Sequence, residues 1–93
     1  MVLKFKNVKR FNRLAWGTIG DRSKPYGILA SGMENGDLEF WNPKGIMNGD
    51  ANALLMRHSM HSGPVRGLDF NPFQGNLLAS SSSDGEVTII YII

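Results

Sequence analysis

The chain contains nearly the same short pattern twice. A Leu-Ala-Ser run begins at Leu29 and again at Leu78, and each run is followed by a polar turn sequence, at residues 35–36 and 84–85. An apolar run rich in β-branched or aromatic residues comes after each turn. The pattern recurs about every 50 residues, a period that indicates one structural unit stacked on another. The chain is therefore restricted to folds built from successive units of one kind, which serve as binding surfaces more often than as active sites.

Within each unit, the sequence predicts short antiparallel strands joined by turns. Apolar and polar residues alternate with the period of a strand, and glycine, proline and asparagine interrupt the alternation. Residues 34–37 and 83–85 supply the positive φ angles that tight hairpins require. Because no segment combines helical spacing with capping residues, we expect an all-β fold without helices. The eight predicted strands cover residues 1–6, 11–16, 26–31, 38–41, 53–58, 65–70, 77–81 and 87–92.

Length and composition limit the chain to one small globular unit. It has 93 residues, of which 42% are hydrophobic and 19% charged, a composition unlike that of disordered segments. The absence of cysteine excludes disulfides and thiolate metal sites and fits a reducing compartment. The start of the chain does not have the pattern of a secretory signal. Its longest strongly apolar stretch, at residues 87–93, is far shorter than the roughly 20 residues of a membrane-spanning helix.

Half of the positive charge lies in the first thirteen residues, although the net charge is only +2. Lys4 and Lys6 alternate with Leu3 and Phe5, which predicts a half-buried edge strand with lysines outward. The competing interpretation is a nucleic-acid surface, in which aromatic rings stack on bases and cations meet phosphates. We favour the edge strand, so no nucleic-acid partner is expected.

Three groups of residues invite a chemical interpretation, and none of them has the features that the chemistry requires. His58 and His61 have no cysteine or third histidine to complete a metal site. The serines at residues 80–83, with Asp84 and His61, lack a recognisable nucleophile turn or oxyanion hole. Residues 32–36 are followed by neither the lysine nor the helix start of a phosphate-binding loop. We therefore expect no catalytic residue, no metal and no cofactor.

The repeated unit resembles a WD-repeat blade. In that family a histidine, a serine or threonine, an aspartate and a tryptophan form hydrogen bonds in series. The resemblance assigns His61, Ser80 and Asp84 to the first three positions of the second copy, where Ile90 replaces the tryptophan. The first copy has Ser31 and Trp41, with Asn35 and Asn42 at the two aspartate positions. The residues at family spacing in the second copy are His61, Gly63, Pro64, Val65, Leu68, Phe70, Pro72, Leu78, Ala79, Ser80, Asp84, Gly85 and Val87.

A more specific resemblance covers almost the whole chain from Leu3 onward. Residues 32–36, 41–43, 49–50 and above all 61–69 are similar to the amino-terminal propeller of the larger outer-cage subunit of the COPII vesicle coat. This resemblance implies a cytosolic protein–protein scaffold in transport from the endoplasmic reticulum to the Golgi. It also implies the small propeller subunit of the cage as partner, location at endoplasmic reticulum exit sites and COPII vesicles, and only indirect membrane contact. The alternatives are a WD-repeat adaptor in an RNA or chromatin assembly, or a truncated product without independent function.

The chain is shorter than a closed propeller, which needs about 4–8 blades. We expect a leading strand at residues 1–10, a first blade at 11–60 and a second blade at 61–93 that lacks its outer strand. Either the chain is a piece of a longer propeller, or several copies close a ring. The exposed apolar edge from Thr88 to Ile93 predicts self-association.

Loops supply the candidate contact residues, because propellers bind their partners there. Asn48 and Asp50 lie in one predicted loop, and Asn71 and Phe73 lie in another. Trp16 and Trp41 fall within predicted strands and are expected in the core rather than at an interface.

Overall fold

Two antiparallel sheets form the fold in the computed structural model, which describes residues 10–18, 25–50 and 52–92. The first sheet has four strands in the order β1-β2-β3-β4, and the second has three in the order β5-β6-β7. Each sheet is a meander, with every strand beside its neighbour in sequence. The elements are β1 (Phe11–Gly17), β2 (Ile28–Met33), β3 (Asp37–Trp41), α1 (Pro43–Met47), β4 (Leu54–Ser59), β5 (Val65–Phe70), β6 (Leu77–Ser82) and β7 (Val87–Tyr91).

The all-β prediction, as a partial propeller with one four-stranded and one three-stranded blade, is confirmed in these residues. The strand predicted at residues 1–6 lies outside the described residues. The strand predicted at residues 26–31 is displaced along the chain to Ile28–Met33, because Tyr26 belongs to a turn and is half exposed.

Glycine makes the two hairpin turns possible. Gly36 has a φ of 96° between β2 and β3, and Gly85 has a φ of 87° between β6 and β7. Such angles are costly for residues with a Cβ atom. The amide of Gly36 donates to the carbonyl of Met33 at 3.1 Å, and that of Gly85 donates to Ser82 at 3.1 Å. The turn positions predicted from the repeated pattern are thus the turns of the structure.

The core lies between the two sheets. Leu38 and Phe40 of the first sheet and Val65 and Leu78 of the second are almost completely buried, in one cluster that also includes Ile28, Ala30 and Ile92. Alternation along each strand directs these side chains to the same interface. The sheets therefore stabilise each other by burying one apolar face each.

Two glycines in the first sheet allow the second sheet to approach closely. A Cβ atom on Gly17 would lie 2.5 Å from the ring of Phe70, and one on Gly32 would lie 2.3 Å from Val65. The side chain of Asn12 donates to the carbonyl of Val65 across the same boundary. Since the start of β1 lies beside the start of β5 and its end beside the end of β5, these two strands run parallel in neighbouring sheets.

The short helix α1 corrects the prediction that the chain forms no helix. Pro43 ends β3, as expected, but its fixed φ also suits the first turn of a helix. The side chain of Asn42 caps that turn by accepting a hydrogen bond from the amide of Lys44 at 3.1 Å. With five residues, α1 is too short to show helical spacing in the sequence. In the described segments, no helix is long and apolar enough to cross a membrane.

The predictions for the two tryptophans had opposite outcomes. Trp41 in β3 is buried, as expected, whereas Trp16 in β1 is 64% exposed, so its assignment to the core was wrong. Trp16 pairs with Leu29 and lies on the face of the first sheet that points away from the second sheet. Its indole Nε1 donates to the carbonyl of Tyr26 at 2.6 Å, which fixes the ring against the following turn.

Candidate functional site

A buried histidine links the start of the second sheet to its middle strand. His61 Nε2 lies 2.9 Å from Ser80 Oγ in β6, and His61 Nδ1 lies 3.1 Å from Glu86 Oε1. The His61 side chain is completely buried, while that of Glu86 is 58% exposed. The backbone amide of His61 also donates to the carbonyl of Gly36 at 3.1 Å, so the same residue connects the two sheets.

Asp84, which the WD resemblance places in series with His61 and Ser80, bonds instead within its own turn and to Ser62. Its carboxylate accepts hydrogen bonds from Ser82 Oγ, from Ser62 Oγ at 2.7 Å and from the amide of Glu86 at 3.0 Å. A short aspartate side chain in a turn readily bonds nearby backbone groups. Glu86, two residues later, supplies the carboxylate beside His61. Sequence analysis did not select Glu86.

The hydrogen bonds to Asp84 stabilise its charged form. Donation from Ser82, then from Ser62 and from the amide of Glu86, holds the pKa of Asp84 well below its ordinary value. A depressed pKa in the folded state stabilises the fold at any pH above the ordinary aspartate range. That stabilisation disappears as the pH falls from the unfolded-state pKa towards the folded-state pKa.

We expect Asp84→Asn to destabilise the chain at neutral pH and to cost progressively less as the solution is acidified below about pH 4. In that range the unfolded parent takes up a proton that the folded parent does not, so the parent becomes less stable, whereas the variant has no carboxylate at this position to titrate. Urea unfolding at neutral and acidic pH measures the difference. The control is Ser83→Ala, at a neighbouring exposed position that does not titrate, whose effect should be the same at both pH values. If the free energy of unfolding differs between Asp84→Asn and the parent by the same amount at every pH, the charged form of Asp84 does not stabilise the fold.

The first sheet has its own buried polar contacts. Trp41 Nε1 donates to Ser31 Oγ at 3.0 Å, and Ser31 Oγ donates to the carbonyl of Glu39 at 3.2 Å. Phe11 meets the Trp41 ring edge-on, with ring centroids 6.4 Å apart. Ser31 and Trp41, both selected by the WD resemblance, are therefore in direct contact. Asn35 bonds to Asp37 within the hairpin turn.

An ion pair between β3 and β4 was not predicted from the sequence. Arg57 Nε donates to Glu39 Oε2 at 2.6 Å, and the Glu39 side chain is fully buried whereas that of Arg57 is 45% exposed. The two residues are direct partners in the strand register. A buried carboxylate needs a charged partner of this kind, since an unpaired one would be strongly destabilising. The sequence contains one indication of this ion pair, a single glutamate within the apolar strand predicted at residues 38–41. Its partner could not be identified, because the partner depends on the register between the strands.

His61, Asp84 and Glu86 bring three potential metal-binding atoms within 4.8 Å of one another. Both ring nitrogens of His61 already face hydrogen-bond partners, Ser80 and Glu86. We therefore interpret this cluster as a hydrogen-bond network rather than a metal site. His58, the other histidine considered as a ligand, is exposed, and its Nε2 lies 2.9 Å from Met56 Sδ. Ser80 is only 1% exposed, which places its hydroxyl out of reach of a substrate.

The loop between β5 and β6 borders an open groove of about 680 Å³. Trp16 and Thr18 line one side, and Phe70, Asn71 and Phe73 line the other. Phe73 is 98% exposed, so its phenyl group is accessible to a binding partner. Asn71 has a structural role in this loop, because its Oδ1 accepts from the amides of Phe73 at 2.8 Å and Gln74 at 2.9 Å.

The second candidate loop lies between β3 and β4. Asn48 caps the end of α1, where its amide donates to the carbonyl of Lys44 at 3.0 Å, and Asp50 Oδ1 accepts from the amide of Asn52 at 2.8 Å. Both side chains are exposed. Because β1 and β5 run parallel and each sheet is a meander, this loop and the loop at residues 71–76 open at the same end of the two sheets. The four candidate contact residues therefore lie at one end, and the two hairpin turns lie at the other.

No protein-family model matches this chain, but several known proteins are similar to it in sequence. A protein transport protein SEC31 of Mycosarcoma maydis is 48% identical over 82 residues, which are 86% of this chain and 6% of that protein. The protein transport protein SEC31 homolog B of Arabidopsis thaliana is 43% identical over 93 residues, 96% of this chain and 8% of its own length. Sec31B of Mus musculus is 41% identical over 92 residues, 94% of this chain and 8% of its length. The chain thus spans less than a tenth of the length of these relatives.

Two solved structures of computationally designed proteins share the fold. Ika8 superposes with a TM-score of 0.62 and 28% identity over 88% of this chain and 20% of its own. Ika4 superposes with a TM-score of 0.60 and 29% identity over 86% of this chain and 39% of its own. In both cases the matching portion is less than half of the designed chain.

Proposed function

We propose a function for this chain, which belongs to the Sec31 family of protein transport proteins. The function is that of a protein–protein scaffold in the COPII outer coat, which acts in transport from the endoplasmic reticulum to the Golgi. Identity above 40% that extends over most of the chain carries this proposal. The same relatives favour the coat over an RNA or chromatin adaptor.

The geometry supports a role in binding rather than catalysis. The polar side chains that looked most like a catalytic set are used in structural hydrogen bonds, and Ser80 is buried among them. By contrast, the exposed phenyl group of Phe73 and the exposed polar side chains of Asn48 and Asp50 lie at one end of the two sheets. A surface loop displayed by a rigid sheet is a common form of protein contact site.

The blade assignment is part of this proposal. We assign residues 11–60 to a first WD-type blade and residues 61–93 to a second, with residues 1–10 as a leading strand. The division falls at the connection between β4 and β5, and the backbone bond from His61 to Gly36 holds the two units together.

The proposed partner is the small propeller subunit of the COPII outer cage, bound through the end that carries the two loops. This places the chain on the cytoplasmic side of endoplasmic reticulum exit sites and COPII vesicles, with membrane contact only through the coat. A hydrophobic loop-tip residue such as Phe73 would bury most of its surface in such a contact, as interface anchors do.

Binding of the purified chain to the purified small subunit tests the proposal, with isothermal titration calorimetry as the measurement. We expect Phe73→Ala to weaken binding at least tenfold and Ser83→Ala, an exposed change in the hairpin turn at the opposite end of the sheets, to leave it unchanged. If the folded chain does not bind the subunit, or if it recovers ribonucleoprotein instead from cytosol, the coat assignment is wrong.

A further inference from the structure

The second sheet has an exposed apolar face. Val87, Ile89 and Tyr91 alternate along β7 on the side away from the first sheet and are 68%, 65% and 64% exposed. Their neighbours across the ladder on β6 include Leu77 and Ala79, which pair with Tyr91 and Ile89. We name the three β7 residues the trailing face. Large exposed apolar patches of this kind mark interaction sites.

The internal repeat shows what kind of surface covers such a face. When Leu29 is aligned with Leu78, Val87 and Ile89 correspond to Leu38 and Phe40 of the first sheet. Leu38 and Phe40 are fully buried, because the second sheet packs on them. The trailing face is therefore the repeat equivalent of a face that another sheet of the same type covers within this chain.

The first sheet presents the complementary surface. When Leu14 on β1 is aligned with Leu68 on β5, Trp16 corresponds to Phe70. Leu68 and Phe70 pack against the core cluster between the sheets, whereas Leu14 and Trp16 are 58% and 64% exposed. We name Leu14 and Trp16 the leading face. One copy of the chain thus exposes both halves of the interface that it forms internally.

We propose that the trailing face of one copy of this chain binds the leading face of a second copy. The contact between chains repeats the contact between sheets within a chain, with Leu14 and Trp16 of the second copy packed on Val87, Ile89 and Tyr91 of the first. Such a contact is heterologous, because different surfaces of the two copies meet, and it propagates from copy to copy until a ring closes or a filament forms. It differs from symmetric pairing along the free edge of β7, and it does not depend on the transport role.

Two single variants of the full 93-residue chain, each blocking one face, provide the test. Leu14→Lys disables the leading face and Ile89→Lys the trailing face, and both residues are more than half exposed, so that lysine is compatible with the fold. In sedimentation velocity, the parent should form oligomers whose mass rises with concentration. Each variant alone should be monomeric, and an equimolar mixture should give a species of twice the monomer mass and nothing larger, since each partner keeps one intact face.

Controls separate the proposal from misfolding and from other modes of association. Met47→Lys, an exposed change on α1 outside both faces, should associate like the parent. Far-ultraviolet circular dichroism checks that each variant keeps its strands, and Leu14→Gln and Val87→Lys replace any variant that does not. A monomeric parent, a variant that still associates alone, or a mixture that stays monomeric would each overturn the proposal. Continued association of Leu14→Lys would indicate edge pairing through β7.

Discussion

Replacement of Phe40 by alanine should lower the free energy of unfolding by about 3–5 kcal/mol. Phe40 is completely buried in β3 and packs in the cluster that joins the two sheets. The substitution removes a ring from the cluster between the sheets and leaves a cavity that the surrounding side chains can fill only in part. Since a small domain has a total stability of only about 5–15 kcal/mol, this loss is a large fraction of the stability of the whole chain.

Phe73→Ala is the matched control, because it makes the same chemical change at a side chain that is 98% exposed. We expect its free energy of unfolding to lie within about 0.5 kcal/mol of the parent. Urea denaturation followed by tryptophan fluorescence and circular dichroism gives both values. Equal losses in the two variants would show that the cluster between the sheets is not the core. A parent without a cooperative transition would instead favour a truncated product that does not fold alone.

Gly36→Ala should be strongly destabilising, although it adds only one methyl group. Gly36 has a φ of 96°, and a Cβ atom there would lie 2.0 Å from the carbonyl oxygen of His61. The clash is with backbone, and the amide of His61 is itself bonded to the carbonyl of Gly36. To relieve it, the hairpin must move away from the start of β5, which breaks the bond between the sheets. The loss should exceed the cost of about 1–2 kcal/mol for a left-handed residue alone.

Gly85→Ala isolates the conformational cost of a left-handed alanine from the cost of a clash. Gly85 occupies the corresponding turn with a φ of 87°, but a Cβ atom there would meet nothing within 4 Å. This variant should therefore show only the conformational cost, and the difference between the two alanine variants measures the clash with His61. Chemical denaturation of both variants under one set of conditions gives that difference. Losses of equal size would mean that the contact between Gly36 and His61 does not constrain the fold.

The elements of the fold were largely predictable because they depend on local sequence. Residues 38–41, 65–70 and 77–81 were predicted as strands within one residue of β3, β5 and β6, because apolar alternation and flanking turns define them. The helix α1 was missed because the Pro43 that ends β3 also starts one helical turn. That turn depends on a single cap, Asn42, rather than on a hydrophobic period.

The polar networks were predictable only in part. Ser31 with Trp41, and His61 with Ser80, were paired by resemblance to WD repeats, and each pair is in contact. Glu86 was missed because Asp84 fits the family pattern better in sequence, yet the turn geometry directs Asp84 towards Ser62 and Ser82.

Local sequence is enough to locate most strands and turns and to show that the same unit occurs twice. Which face of each unit is buried depends instead on how the two sheets pack. Leu14 and Leu68 occupy equivalent positions in the repeat, as do Trp16 and Phe70, yet one member of each pair is exposed and the other packs on the core. The physical reason is that a side chain is buried only when a second face covers it, so the sequence of one strand does not decide its burial. Alternation in a strand creates an apolar face, but whether that face leaves water depends on the sheet beside it.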